Sequence, residues 1–238
     1  MGVAAISGAA AATIAAAGAI TYAALSAESQ FFGSTLIAPR HPDEIALTYD
    51  DGPNPTVTPA LLEMLAKHNA RAAFFMIGGF VRQCPQLVRE VRAAGHVIGN
   101  HTMTHPWLAW QSAGRVREEL HGASAAIEDV LGEPVRYFRA PHGARRPYVL
   151  RVARETGMTP VQWNLICQDW KPLGVDELYR RIEGGVERNR RRGFATNVVL
   201  HDGGQEGLGA NRMDTVRATE RLIKQHRESK FVGIDAWS

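Results

Sequence analysis

Apolar runs of four to six residues recur along the chain, and between them lie longer stretches whose apolar positions fall three or four apart. Continuous short runs suit strands buried on both faces, and the wider spacing suits helices with one face on a core. The pattern predicts strands at 44–49, 72–77, 96–100, 135–138, 161–163, 196–200 and 231–234. Helices are predicted from Pro59, through Leu87, Val88 and Val91 to Gly95, over 113–131, 147–156 and 175–189, and through Val216 and Leu222. Thr58 is a candidate N-cap, with Pro59 at the first helical position. Such alternation implies a mostly parallel sheet with helices outside it, either a barrel or a doubly wound sheet. Both architectures place their chemistry just past the C-terminal ends of the strands.

Several chemistry-bearing residues fall at those ends. The first strand runs into Asp50-Asp51-Gly52-Pro53, the third into His101-Thr102-Met103-Thr104-His105. Read alone, the first is an ordinary turn sequence and the second two unrelated histidines. Together they offer Asp51, His101 and His105 as three ligands for a divalent metal, with open positions left for water and substrate. The HxxxH spacing would set both imidazoles on one face of a helical turn. Asp50 is then the spare carboxylate that can take a proton from water at the metal. Arg139-Ala140-Pro141-His142-Gly143 adds a guanidinium to orient a carboxylate, and a rigid loop whose backbone can face an oxyanion. Asp169 and His201 follow two later strands, and a carboxylate beside an imidazole suits a general acid. A structural zinc site is excluded by ligand count, since only three ligands are evident and no cysteine lies near them.

Composition supports one folded domain: 238 residues, 45% hydrophobic and 21% charged. The net charge is only +3. The basic run at 188–192 reads as the last turn of a helix, and no zinc-finger or aromatic-interleaved basic pattern points to nucleic acid. Cys84 and Cys167 form no CxxC pair; they read as core thiols, with one bridge left open. Residues 1–27 carry no charge and are rich in alanine. A helix of that length, at about 1.5 Å per residue, reaches across a bilayer core of about 30 Å. Ala24-Leu25-Ser26-Ala27 also offers small residues for signal cleavage. The segment reads as an anchor or a cleaved signal, with a soluble Ala-rich helix as the alternative. Residues 28–42, broken by Gly33, Pro39 and Pro42, read as a linker into a catalytic domain at 43–238. An extracytoplasmic, membrane-associated enzyme is expected.

The ordered set Thr48-Tyr49-Asp50-Asp51-Gly52-Pro53, the HxxxH at 101–105, Arg139-Ala140-Pro141-His142-Gly143, Asp169-Trp170 and Leu200-His201 resembles the motifs of the polysaccharide deacetylases. These are the NodB-like enzymes of carbohydrate esterase family 4. The resemblance covers about residues 43–236. It implies a distorted (β/α) barrel of about seven parallel strands. It also implies a divalent metal, most often Zn2+ with Co2+, Ni2+ or Mn2+ as alternatives, on Asp51, His101 and His105. Asp50 would be the base, held by Arg139, and His201 the acid, oriented by Asp169. Pro141 and His142 would shape the oxyanion loop, while Trp170 and Leu200 would wall the acetyl pocket. The substrate would be an N-acetylated glycan of peptidoglycan or chitin type. Three positions depart from the family pattern: Tyr49 replaces a phenylalanine, His142 an aromatic residue, and Ile166 the first aspartate of Asp-x-x-Asp-Trp. The alternatives are an O-acetyl esterase, a small-amide hydrolase, or a silent glycan-binding homologue. That last reading would be marked by loss of the base, a ligand or the acid, and all of these are present.

Overall fold

The computed structural model describes Thr13 and residues 17–238. Its strands are β1 (Glu44–Gly52), β2 (Ala72–Met76), β3 (Val97–Asn100), β4 (Tyr137–Phe138), β5 (Thr159–Pro160), β6 (Leu165–Ile166), β7 (Thr196–His201) and β8 (Lys230–Phe231). They form one sheet in the order β5-β4-β3-β2-β1-β7-β6, with β8 paired to β1. Every pairing is parallel. The seven-strand path curls into a half-barrel, a distorted (β/α) barrel as expected.

The seam lies between β5 and β6. A strand is expected there at 161–163, but that stretch links two short strands instead. Its neighbour is the segment expected to be a linker: Leu36 bridges Val161. The Leu36 N–H donates to Pro160 O at 2.9 Å, and Gln162 N–H to Leu36 O at 2.8 Å. Asn197 ties both sides together, its Nδ2 donating to Ile37 O at 2.9 Å and Gln162 O at 2.8 Å. The backbone at Leu36 and Ile37 therefore fills the seam without joining a continuous ladder.

After α1 at 17–25, whose end meets Arg145, helices cover the outer face: α2 (Val57–Lys67), α3 (Gly78–Gln83), α4 (Pro85–Ala93), α5 (Ala113–Leu131), α6 (Pro147–Glu155), α7 (Val175–Arg191) and α8 (Met213–Gln225). The single helix expected before Gly95 is two, α3 and α4, because Pro85 starts a new first turn. Thr58 lies inside α2; Thr56 is its N-cap and makes no side-chain cap. The basic run ends α7, as the helix dipole favours.

Alternation along β1 sorts the core. Ile45, Leu47 and Tyr49 face the helices with Leu61, Leu65, Leu120 and Ile182. Ala46 faces the interior with Ala73, Phe75 and Val161. A period of two puts Thr48 and Asp50 on that same interior face. Burial of each large apolar side chain contributes about 1.5–3 kcal/mol. The hydroxyl that distinguishes Tyr49 from phenylalanine is accommodated by Thr219 of α8 at 3.3 Å. Both cysteines are free, Cys167 buried and Cys84 half-buried.

Most of the N-terminal segment, residues 1–12 and 14–16, lies outside the described residues. In α1, Ala23 is buried while Ile20, Tyr22 and Leu25 are exposed. Among the described residues no helix is long and apolar enough to cross a membrane.

Candidate active site

A cavity of about 800 Å³ opens at the C-terminal ends of β1, β3 and β7, and Asp50, Asp51, His101, His105, His142 and His201 all reach it. Among the described residues, five of the six non-glycine residues with left-handed backbone are here or beside it: Asp51, Thr102, His105, His142 and Gln168. Such conformations are costly for most side chains, and they concentrate where function over-determines the backbone.

Asp50 is set by Arg139. The guanidinium is fully buried and donates from Nη1 to Asp50 Oδ1 at 2.8 Å and to Thr48 Oγ1 at 2.7 Å. It lies over the Phe75 ring at 4.1 Å, and Nη2 reaches Gln162 O and Asn197 Oδ1, both at 3.4 Å. Burial pulls the Arg139 pKa down and Asp50 works against that. A buried charge-assisted bond of this kind fixes one carboxylate oxygen and leaves the other free.

Asp51 Oδ1 lies 3.1 Å from His105 Nε2 and 3.4 Å from His101 Nε2, and the donor atoms of all three lie within 4.8 Å of one another. His101 Nδ1 donates to Arg139 O at 2.9 Å, so its Nε2 presents a lone pair inward. Asp51 Oδ1 makes no hydrogen bond of good geometry although it is buried. Burial alone would raise the Asp51 pKa, but the two imidazoles hold it well below the carboxylate range. Three inward donors with an orphaned oxygen fit a divalent cation. A second grouping, Glu183, Glu187 and His226, is satisfied internally: His226 Nε2 lies 2.8 Å from Glu183 and Arg190 Nη1 2.8 Å from Glu187.

The expectation that His101 and His105 share a helical turn is wrong. Residues 101–107 form no helix, and Thr102 and His105 have φ of 67° and 59°. The loop is built instead from α5. Glu119, buried, accepts from Met103 N at 2.9 Å, Thr104 N at 2.8 Å and Thr104 Oγ1 at 2.6 Å. Asn100 Oδ1 accepts from Thr102 N at 2.8 Å, and Thr102 Oγ1 from His105 N at 3.0 Å.

Under Asp50 and Asp51 sits Asp202. Its Oδ2 accepts from Thr58 Oγ1, and burial, with smaller help from Asp51 and Asp50, pushes its pKa up to about 7. Gly52 is required by close approach, since a Cβ there would stand 2.4 Å from Asp202 Oδ2. Gly203 is required as well, for a Cβ would lie 1.9 Å from Asp51 O.

Across the cavity His201 is gripped by Asp169, with Nδ1 to Oδ1 at 2.8 Å and the backbone N–H to Oδ2 at 2.8 Å. Trp170 meets the His201 ring edge-on at 5.2 Å and lines the cavity. Leu200 does not: it is buried in the helix-side core, and Val199 lines the cavity in its place. Alternation puts 199 and 201 on one face, so the wall residue is two before the histidine. Pro141 is buried in its turn, while the His142 ring faces the cavity, its pKa lowered to about 4 by burial and then by His105 and His101. Ile166 is half-exposed at the rim. The buried Arg139 has partners for Nη1 and Nη2 in Thr48, Asp50, Gln162 and Asn197, while its Nε is left without one.

The model of the polysaccharide deacetylases matches residues 38–161, which carry Asp50, the three inward donors and Arg139. The chain belongs to that family. A chitooligosaccharide deacetylase of Azorhizobium caulinodans is 39% identical over 160 residues, 67% of this chain and 73% of that one. A peptidoglycan-N-acetylglucosamine deacetylase of Bacillus cereus is 34% identical over 195 residues, 81% and 86% of the two chains. Among solved structures, the Bc1960 peptidoglycan N-acetylglucosamine deacetylase superposes with a TM-score of 0.75 at 28% identity, covering 84% of this chain and 90% of that one. A CE4 family pseudoenzyme from Bacillus anthracis has a TM-score of 0.72 at 25% identity over 83% and 66%. This polysaccharide deacetylase is therefore a hydrolase of the deacetylase type, in a family whose enzymes depend on a metal.

Sequence reasoning missed Glu119, Thr215, Asp202 and Trp107. Only Val199 had a local signal, the two-residue period of β7. Trp107 and Asp202 stand beside His105 and His201 but in no pattern that marks them, and Glu119 and Thr215 reach the site from α5 and α8.

Proposed function

We propose that this polysaccharide deacetylase hydrolyses N-acetyl groups from amino sugars of a glycan, using Asp50 as base and His201 as acid. The observation that carries the reading is their placement on one cavity, each locked by its own partner, Arg139 and Asp169. That both relatives named above are deacetylases of N-acetylated glycans supports the substrate class. The intact base, donor set and acid favour catalysis over a silent binding role.

The acetamide enters with its methyl toward Trp170 and Val199. Asp50, its Oδ1 held by Arg139, accepts a proton from water through Oδ2 as the water oxygen adds to the carbonyl carbon. The backbone N–H of His142 is the donor assigned to the oxyanion. His201 then donates its Nε2 proton to the nitrogen as the C–N bond breaks, releasing acetate and a free amine. Asp51, His101 and His105 would hold the metal, which when bound supplies Lewis acidity to the carbonyl and to water. Zn2+ suits two imidazoles and a carboxylate; Co2+, Ni2+ and Mn2+ are the alternatives. In this reading residues 43–238 carry the catalytic groups, with residues 24–37 packed against them, residues 1–27 target the protein to a membrane, and the work is extracytoplasmic.

The test is acetate release from peptidoglycan, chitooligosaccharides and acetylated xylan, with chelator and with added Zn2+. Metal-dependent release from an N-acetylated glycan supports the reading, and release from xylan alone replaces it with an O-esterase. Asp50→Asn is expected to lower turnover roughly 10²–10⁴-fold, the range of a positioned general base, with metal still bound. Retained turnover would remove Asp50 from its role.

A further inference from the structure

Tryptophan gathers at the mouth of the cavity. Of the five tryptophans in the chain, Trp107, Trp163 and Trp170 line it. Trp110 stands next to Trp107 in the chain's path and is 81% exposed. Trp107 is held in place: its ring stacks on His142 with centroids 3.9 Å apart and planes at 13°. His142 in turn meets His105 edge-on at 4.7 Å. One face of the Trp107 ring is thus committed to the site, while the residue remains 45% exposed.

Leu108–Trp110 is a single 3-10 turn, and the Trp110 N–H donates to Trp107 O at 3.0 Å. Three residues per turn bring i and i+3 to the same side, displaced along the axis by about 6 Å. The two indoles therefore follow one another along one side of the turn, separated by about the span of one pyranose unit. Leu108 and Ala109 between them are buried, which anchors the turn and leaves the two rings outward.

We propose that Trp107 and Trp110 form a stacking path for successive sugar rings, leading away from the catalytic cavity. The ligand is a neutral pyranose chain, whose C–H faces suit broad, rigid indole surfaces and whose hydroxyls suit the indole N–H. This rests on the deacetylase reading and deepens it: the substrate is a chain reaching past the reacting sugar, not a single amino sugar. Continuity decides the occupant, because Trp107 belongs both to the cavity wall and to the turn that carries Trp110. A protein partner would have no reason to meet the cavity at the same point.

The test compares Trp110→Ala with the unaltered protein on N-acetylglucosamine oligomers of one to six units. KM for the longer oligomers is expected to rise about tenfold, a factor one stacked aromatic can supply, with kcat unchanged and the shortest substrates unaffected. Trp110→Phe is expected to recover most of the loss. An equal effect at every length, or none, overturns the proposal. Binding of the hexamer to Asp50→Asn and to the Asp50→Asn, Trp110→Ala pair, read by calorimetry, is independent of turnover. If no glycan releases acetate the deacetylase reading fails, while the calorimetric difference still judges the stacking path: weaker binding by the pair upholds it, equal binding overturns it.

Discussion

Asp169 holds His201 at two points, its Oδ1 on the ring Nδ1 and its Oδ2 on the backbone N–H, each at 2.8 Å. Thr215 of α8 adds its hydroxyl to Oδ2 at 2.9 Å. Both carboxylate oxygens are thereby committed, the ring cannot turn, and Nε2 is left as the proton donor facing the cavity. Burial opposes a charged ring here, but Asp169 outweighs it, with help from Asp51 and Asp50, and lifts the His201 pKa to about 9.

His201 is therefore protonated, as an acid must be, through neutral pH, and kcat is expected to fall only as pH rises through about 9. Asp169→Asn removes the main raising influence and should move that alkaline limb down by more than one pH unit. The same group affects stability. Its folded pKa lies above the ordinary 6.5, so its contribution is complete below 6.5 and is lost as pH rises through about 9. Thermal melts from pH 6 to 10 should show this decline in the native protein and a flatter profile in Asp169→Asn.

Chelation should lower the melting temperature as well as activity. A cation that binds only the folded state stabilises it by about 2.7 kcal/mol at a hundredfold excess over Kd, which is several degrees for a chain of this size. His101→Ala and His105→Ala should lose both the Zn2+-dependent rise in melting temperature and the activity. A melt that ignores Zn2+ in the native protein would remove Asp51, His101 and His105 as a metal site.

Glu119 does not line the cavity, yet it accepts three hydrogen bonds from Met103 and Thr104. Glu119→Ala should free the 101–105 loop and weaken metal affinity by about 10–100-fold, as loss of an outer partner of a metal ligand does. Isothermal titration with Zn2+ measures it, and far-UV circular dichroism should stay unchanged.

Arg145 is buried with no carboxylate beside it among the described residues. Its Nη2 donates to Ser26 O at 2.8 Å and Ser29 O at 2.7 Å, its Nη1 to Gly143 O at 3.0 Å. Its backbone N–H reaches Ala24 O at 3.1 Å. Removing residues through Ser29 should therefore destabilise the catalytic domain, since each lost bond to a charged group costs about 1.5–3 kcal/mol. The same truncation in an Arg145→Met background should cost distinctly less. Urea unfolding of the four proteins gives the coupling, and additive losses would refute it.

Ile166→Asp should not raise turnover. Ile166 is half-exposed and lines the cavity, so the substituted carboxylate is expected to stay in water at the rim, and both Nη atoms of Arg139 already have partners. Steady-state kinetics on an N-acetylated glycan decides it.

By itself the sequence determined the strand–helix alternation and the placement of Asp50, Asp51, His101, Arg139 and His201 at strand ends, and it singled out the candidates for acid, base and metal-holding roles. These are local properties: a two-residue or 3.6-residue period and a short motif are written in consecutive positions. The tertiary structure alone decided that residues 101–105 form a left-handed loop held by Glu119, that 161–163 spans a seam beside Leu36, and that Asp202 and Thr215 underpin the two halves of the site. Each depends on side chains brought together from distant parts of the chain, such as Thr58 and Asp202 across 144 positions. No local pattern records such a meeting. The choice of Val199 over Leu200 stands between the two, readable from strand period yet settled by which face of β7 the cavity occupies.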